Sequence, residues 1–103
     1  MPIDSVAHIE NKLAAKRDKV LAANTLSGDS KSFALLMSFH KRRIESLGMS
    51  FFKNTADTED FVQDVFLRAY TKLDSFHGDS LFSTWLTRIG YNIAINAVNR
   101  TQT

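Results

Sequence analysis

Three sets of side chains in this sequence could do chemistry. They are the carboxylates Asp57, Glu59, Asp60 and Asp64, the histidines His8, His40 and His77, and a row of Arg88, Asn92, Asn96, Asn99 and Arg100. The pairs Glu59/Asp60 and Asp60/Asp64 could serve as acid and base only in a concave, desolvated site that shifts one pKa, and they fall on a helix face predicted to be open. The histidines lie in different segments, and none has a second His or a carboxylate at metal-ligand spacing on the same helix face. With no cysteine, neither a thiolate metal site nor a disulfide framework can form. There is no Gly-rich phosphate loop and no G-x-S-x-G elbow. No catalysis, metal or cofactor is expected. The asparagine row points elsewhere. Asn is a mediocre helix former, so three in line, bracketed by arginines, want a reason. An Asn amide reads base edges as donor or acceptor, and Arg holds phosphate or guanine. A merely polar solvent face is the plain alternative.

The elements that position these groups follow from periodicity. The stretch 57–73, D-T-E-D-F-V-Q-D-V-F-L-R-A-Y-T-K-L, has a start signal and a helical stripe. Asp57 is expected to cap it, with Glu59 and Asp60 near the positive end of the helix dipole. Phe61, Val62, Val65, Phe66, Ala69, Tyr70 and Leu73 make the apolar face. The other face carries Asp60, Gln63, Asp64, Leu67 and Lys72. A leucine among carboxylates there is what a partner surface would look like, and a solvated amphipathic helix is the alternative.

An earlier helix is expected over 3–23, capped by Asp4 or Ser5, with Ile3, Val6, Ile9, Leu13, Val20 and Leu21 as its stripe. Lys16 and Arg17 interrupt that stripe, so this helix should be the least firmly packed and partly frayed. Residues 24–29 form a break. A second helix then runs from 29 or 30 to 49 on Phe33, Leu36, Met37, His40, Ile44 and Leu47, with Gly48 weakening its end. His40 lies on the apolar stripe and reads as a satisfied core or boundary histidine. Lys41, Arg42 and Arg43 fan around the helix as a solvated face. The loop 74–83 mixes Phe76, His77 and Phe82 with small polar residues. It could stack unpaired bases, or its rings could tuck into the core. The last helix, 83–100, buries Trp85, Leu86, Ile89, Ile93, Ala94 and Ala97. The fold class is all-α, a bundle of about four helices.

Composition bounds the rest. A chain of 103 residues makes one domain and buries a real core, but not one that also encloses a substrate cavity. Gly and Pro are scarce, at four and one, which favours helix. No stretch approaches the roughly 20 apolar residues of a membrane span, and the N-terminus has no signal-peptide pattern. A cytoplasmic protein without a membrane partner is expected. Net charge is only +2. Acids nevertheless gather at 57–64, and bases at 12–19, 41–43 and 88–100, so separate faces could hold two different partners.

Three segments together resemble a known family. G-D-S-K-S-F at 28–33 resembles an opening G-D-x-x-A-F, and D-T-E-D-F-V-Q-D-V-F-L-R-A-Y at 57–70 is similar to D-A-E-D-L-V-Q-E-V-F-L-R-A-Y. F-H-G-D-S-L-F-S-T-W-L-T-R-I-G-Y-N at 76–92 resembles F-R-G-x-S-x-F-x-x-W-L-x-R-I-A-x-N. The sequence is thus similar to region 2 of bacterial extracytoplasmic-function (ECF) RNA polymerase sigma factors, with a region 2-like domain over 26–103 and an N-terminal helix or extension over 1–25 packed on it. The resemblance implies that Asp60, Gln63, Asp64, Leu67 and Arg68 dock on the clamp helices of the polymerase β′ subunit, with Leu67 as an apolar anchor in a charged rim. It implies that Phe76, His77, Ser80, Phe82, Trp85, Arg88, Asn92, Asn96, Asn99 and Arg100 meet the single-stranded non-template strand of the −10 promoter element.

The sequence departs from the family pattern at His77, Gly90, Tyr91 and Asn99, which removes positive charge from the DNA side and places Gly where Ala is usual. The family also carries a second helical domain that reads the −35 element. The residues after Arg100 are too few to hold it, so the sequence reads as an excised domain or a truncated protein. Two other readings stand beside this one. One is a protein-interaction module that binds an anti-sigma protein or polymerase without productive DNA contact. The other is a small helix-turn-helix duplex binder, which is weakened because no short turn and recognition helix follow.

Overall fold

The computed structural model describes residues 3–101, with side chains from 6 to 100. Among these the chain forms four α-helices and one 3-10 turn, and no strand. They are α1 (Ile3–Leu26), α2 (Ser30–Phe52), α3 (Thr55–Lys72) and α4 (Phe82–Thr101), with the 3-10 turn at Leu73–Ser75. The all-α expectation is met. The caps proposed at Asp4 and Ser5, and the apolar Ile3, lie outside the residues whose side chains are described.

Local chemistry sets the boundaries. Asp29, in extended conformation, accepts from the Lys31 N–H at 3.1 Å and starts α2. Helix α2 then runs past Gly48 to Phe52 and stops at Lys53, whose left-handed backbone (φ 61) lets its N–H reach the Met49 carbonyl. Gly48 therefore does not end α2. It lies in the interior of the helix, where a Cβ would come within 2.7 Å of Phe61 and 2.9 Å of Thr58, so it is the point at which α3 crosses closely.

Helix α3 starts two residues earlier than expected. Its cap is Asn54, not Asp57. Asn54 Oδ1 accepts from the Asp57 N–H at 2.8 Å, and Asn54 Nδ2 donates back to the Asp57 carboxylate at 2.8 Å. Each residue thus satisfies the other, in the manner of a capping box.

The core draws on every helix: Ala22 from α1, Leu36, Met37 and Ile44 from α2, Phe61, Val62, Val65 and Ala69 from α3, and Phe82, Leu86 and Ala94 from α4, with Leu73 from the turn between α3 and α4. Two expectations about facing are corrected. Tyr70 is half out of the core, with its ring edge-on to Phe33 at 4.9 Å. On α1 most of the apolar stripe is on the wrong face: Val6, Ile9, Leu13 and Val20 are exposed, Leu21 packs against the core, and Asp18, Ala22 and Thr25 are buried. The reason is that the buried polar groups are satisfied. The Thr25 hydroxyl donates to the Leu21 carbonyl at 2.8 Å, and Asp18 is bonded to His40 of α2 at 2.9 Å. Lys41, Arg42 and Arg43 are exposed, as the fan along α2 requires.

Candidate nucleic-acid interface

The loop between α3 and α4 is organised by a stack of aromatic rings. Phe82, at the first position of α4, is 2% exposed. Phe76 meets it edge-on at 5.2 Å, and Trp85 lies 5.3 Å from Phe82 and 5.5 Å from Phe76. Phe76 and Trp85 are half-buried, so each still presents part of its ring. Phe82 presents none. A base cannot stack on it while it remains in the core, where it forms a floor beneath Phe76 and Trp85.

The loop backbone is held at Gly78, whose positive φ of 81 suits a residue without Cβ, and a Cβ there would lie 3.3 Å from Lys19 Cε of α1. Between them a hollow of about 230 Å³ is lined by Lys19, Ala22, Leu26, Phe76 and His77. His77 is exposed, and the half-buried Ser80 donates its hydroxyl to the Leu81 carbonyl at 3.2 Å.

On α4, Trp85, Arg88, Asn92, Asn96 and Asn99 recur at intervals of three or four, which places them on one face. Apart from the half-buried Trp85, all are exposed. The row therefore runs from the aromatic stack toward the C-terminal end of the helix. On α3, Asp60, Gln63, Asp64, Leu67 and Arg68 are all exposed, with Leu67 at 65% in their midst.

The two sets are not on separate faces throughout. Asp64, Leu67 and Arg68 share an open groove of about 890 Å³ with Asn96, Asn99 and Arg100. Arg100 also lines a second groove with Asp57, Asp60 and Asp64. The C-terminal part of the row thus sits in the field of the α3 carboxylates, whereas Arg88 and Asn92 line neither groove.

Behind the stack is a buried polar pair that the sequence reading did not assign. His40 Nε2 and Asp18 Oδ2 are 2.9 Å apart, and both side chains are more than nine-tenths buried. The Asp18 Oδ1 accepts from Arg17 Nη2 at 3.0 Å, and the Arg17 guanidinium lies 3.7 Å above the centre of the Phe39 ring. Burial lowers the His40 pKa below 6.5 against the pull of Asp18, with Arg17 and Arg43 adding to the lowering. A neutral ring donates Nε2–H to the carboxylate. The available sequence signal was weak: one acid inside the run Lys16-Arg17-Asp18-Lys19, at helical spacing from Ala22 and Thr25.

Residues 36–103 match the family model described as Sigma-70 region 2. The chain belongs to the Sigma-70 region 2 family. Among curated proteins it is 44% identical over 79 residues to the ECF RNA polymerase sigma-E factor of Escherichia coli K12, which is 77% of this chain and 41% of the relative. It is 36% identical over 84 residues to the RNA polymerase sigma-H factor of Pseudomonas aeruginosa, covering 82% of this chain and 44% of that protein. This region 2 domain thus spans less than half the length of the curated relatives it matches.

Among solved structures, an engineered region 2 of sigmaE in complex with GTAAAA superposes with a TM-score of 0.75 at 38% identity, covering 82% of this chain and 88% of that one. CnrH in complex with the cytosolic domain of CnrY superposes with a TM-score of 0.71 at 36% identity, covering 78% and 52%. Fold, family and ECF character therefore agree with the motifs at 28–33, 57–70 and 76–92.

Proposed function

We propose that this region 2 domain binds the β′ clamp helices of RNA polymerase through α3 and recognises and melts the −10 promoter element through the non-template strand, in the cytoplasm and without chemistry of its own. The observation that carries the reading is the exposed row Arg88, Asn92, Asn96 and Asn99 leading away from the half-open rings of Phe76 and Trp85. Rings stack on unpaired bases, amides read their edges, and arginine sets register on phosphate. Binding the unpaired strand offsets the cost of unpairing it, as in base flipping. The related sigmaE region 2 solved with GTAAAA supports strand binding by this fold. On α3, Leu67 is the apolar centre of a charged rim formed by Asp60, Gln63, Asp64 and Arg68, the pattern of a compact protein contact.

The test is fluorescence-anisotropy binding to a pool of single-stranded −10 oligonucleotides, against matching duplex and a scrambled strand. Selective single-strand binding that weakens with salt is expected. Asn92→Ala or Phe76→Ala should weaken it and spare polymerase binding. Charge reversal at Asp60 or Asp64 should do the opposite. If all four variants leave both affinities unchanged, the assignment of faces is wrong.

A second reading is a module that binds an anti-sigma protein or polymerase without productive DNA contact. Two observations favour it: the carboxylates that line the grooves with Asn99 and Arg100, and the related CnrH solved with the cytosolic domain of CnrY. A folded protein with no strand selectivity would establish it over the first.

A further inference from the structure

We propose that Asp18 and His40 are positioning residues for the aromatic platform: Asp18 of α1 fixes the His40 ring of α2, and that ring backs Phe82, on which Phe76 and Trp85 rest. The proposal rests on the reading that the platform receives an unpaired strand.

The contacts form an unbroken line through the domain. Asp18 Oδ2 accepts from His40 Nε2 at 2.9 Å. The His40 ring lies 5.2 Å from the Phe82 ring at a tilt of 50°. Phe82 lies 5.2 Å from Phe76 and 5.3 Å from Trp85. Each inner member is closed to solvent, with Asp18 at 5%, His40 at 7% and Phe82 at 2% exposure. A displacement of one is therefore felt by the next, because close-packed side chains transmit strain and do not absorb it in voids.

The line is also anchored outside. Arg17 donates Nε–H and Nη2–H to Asp18 Oδ1 at 3.1 and 3.0 Å, leaving Oδ2 for His40. The same helix supports the loop at the very next residue, where Lys19 lies against Gly78. Helix α1 thus reaches the platform twice, through the His40 line to its floor and through Lys19 to its rim. An apolar core would hold Phe82 in place, but it would not fix the rotation of the ring behind it. A hydrogen bond to a carboxylate does, because it acts along one ring N–H.

The experiment uses the 103-residue chain and two readouts. Trp85 is the only tryptophan, so acrylamide quenching of its fluorescence reports the platform without DNA. The second readout is affinity for the −10 single strand. Three variants are compared at a temperature where circular dichroism shows each to be folded. Asp18→Ala removes the acceptor. Asp18→Asn keeps an oxygen for the His40 N–H. His40→Phe keeps a ring against Phe82 and removes the donor.

Asp18→Ala and His40→Phe are expected to raise Trp85 quenching and to weaken single-strand binding about tenfold, within the range set by losing one base–aromatic stack. Asp18→Asn should restore both. A purely structural role would lower the unfolding temperature and leave both readouts of the folded protein unchanged, and that result overturns the proposal. If Asp18→Ala does not fold, His40→Phe decides alone. If the unmodified protein binds no single strand selectively, the reading of the interface fails, and Trp85 quenching still decides whether Asp18 and His40 set the platform.

Discussion

The ring of Phe61 fills the space that a side chain at position 48 would need. A Cβ on Gly48 would sit 2.7 Å from Phe61 Cδ2 and 2.9 Å from the Thr58 methyl, both part of the facing helix α3. Gly90 of α4 approaches the tip of the same ring, where a Cβ would be 3.4 Å from Phe61 Cζ and 3.0 Å from Leu47 Cδ2. The two positions make different predictions. Gly48→Ala gains about 1 kcal/mol of helix propensity but must displace a buried ring, and overpacking of this kind costs about 1–3 kcal/mol, occasionally more. A net loss is expected, read as a lower midpoint in thermal unfolding. Gly90→Ala meets the movable end of a leucine, so the propensity gain and the tight contact should nearly cancel. Equal destabilisation by the two variants would contradict the packing difference.

The start of α3 gives the second prediction. Asn54→Ala removes the side-chain acceptor of the Asp57 N–H and the donor to its carboxylate, and should cost about 0.5–2 kcal/mol in urea unfolding. Asp57→Ala removes only the return bond and should cost less. The sequence carries both residues, three apart, and either looks like a cap. The helix dipole favours the carboxylate of Asp57, but the residue in extended backbone, with φ −147 and ψ 156, is Asn54. Backbone conformation separates a cap from its third-position partner, and side-chain type does not.

His40 and Asp18 show why apolar spacing marks the buried face of α4 and misses that of α1. On α4 the buried Leu86 and Ala94, with Ile89 and Ile93 packed beside them, are apolar, so periodicity finds the face. On α1 the buried face is made with an aspartate whose partner lies 22 residues away, and most of the apolar residues that periodicity counts, Val6, Ile9, Leu13 and Val20, face outward. A pattern of apolar spacing cannot register a long-range polar pair. The same pair gives a pH prediction. The folded protein holds His40 below its ordinary 6.5, chiefly through burial, with Asp18 opposing and Arg17 and Arg43 assisting. The unfolded chain therefore binds the proton more readily. The contribution is fully present above pH 6.5 and is lost as pH falls through the lower folded value. Denaturant unfolding at pH 7.5 and 5.5 should show a loss on acidification that His40→Phe reduces. A gain on acidification would mean that the Asp18 charge outweighs burial.

The last prediction separates the two ends of the α4 row. Arg88 and Asn92 stand clear of the grooves that hold Asp60 and Asp64, whereas Arg100 lines both and Asn99 lines the one with Asp64. A cation among carboxylates spends part of its field on them and offers less to a phosphate. Each phosphate neutralised on a single strand contributes about −0.7 to the slope of log affinity against log salt. Arg88→Ala is therefore expected to lower the magnitude of that slope by about 0.7 and to weaken all strands alike. Arg100→Ala should change it less. Asn92→Ala should leave the slope unchanged and reduce the preference for the selected strand over the scrambled one, because an amide reads base edges and carries no charge. Titrations of these variants at several salt concentrations check all three together. A full slope change at Arg100 with none at Arg88 would place the strand over the C-terminal end of α4, and the α3 carboxylates would then lie beside the DNA instead of the polymerase.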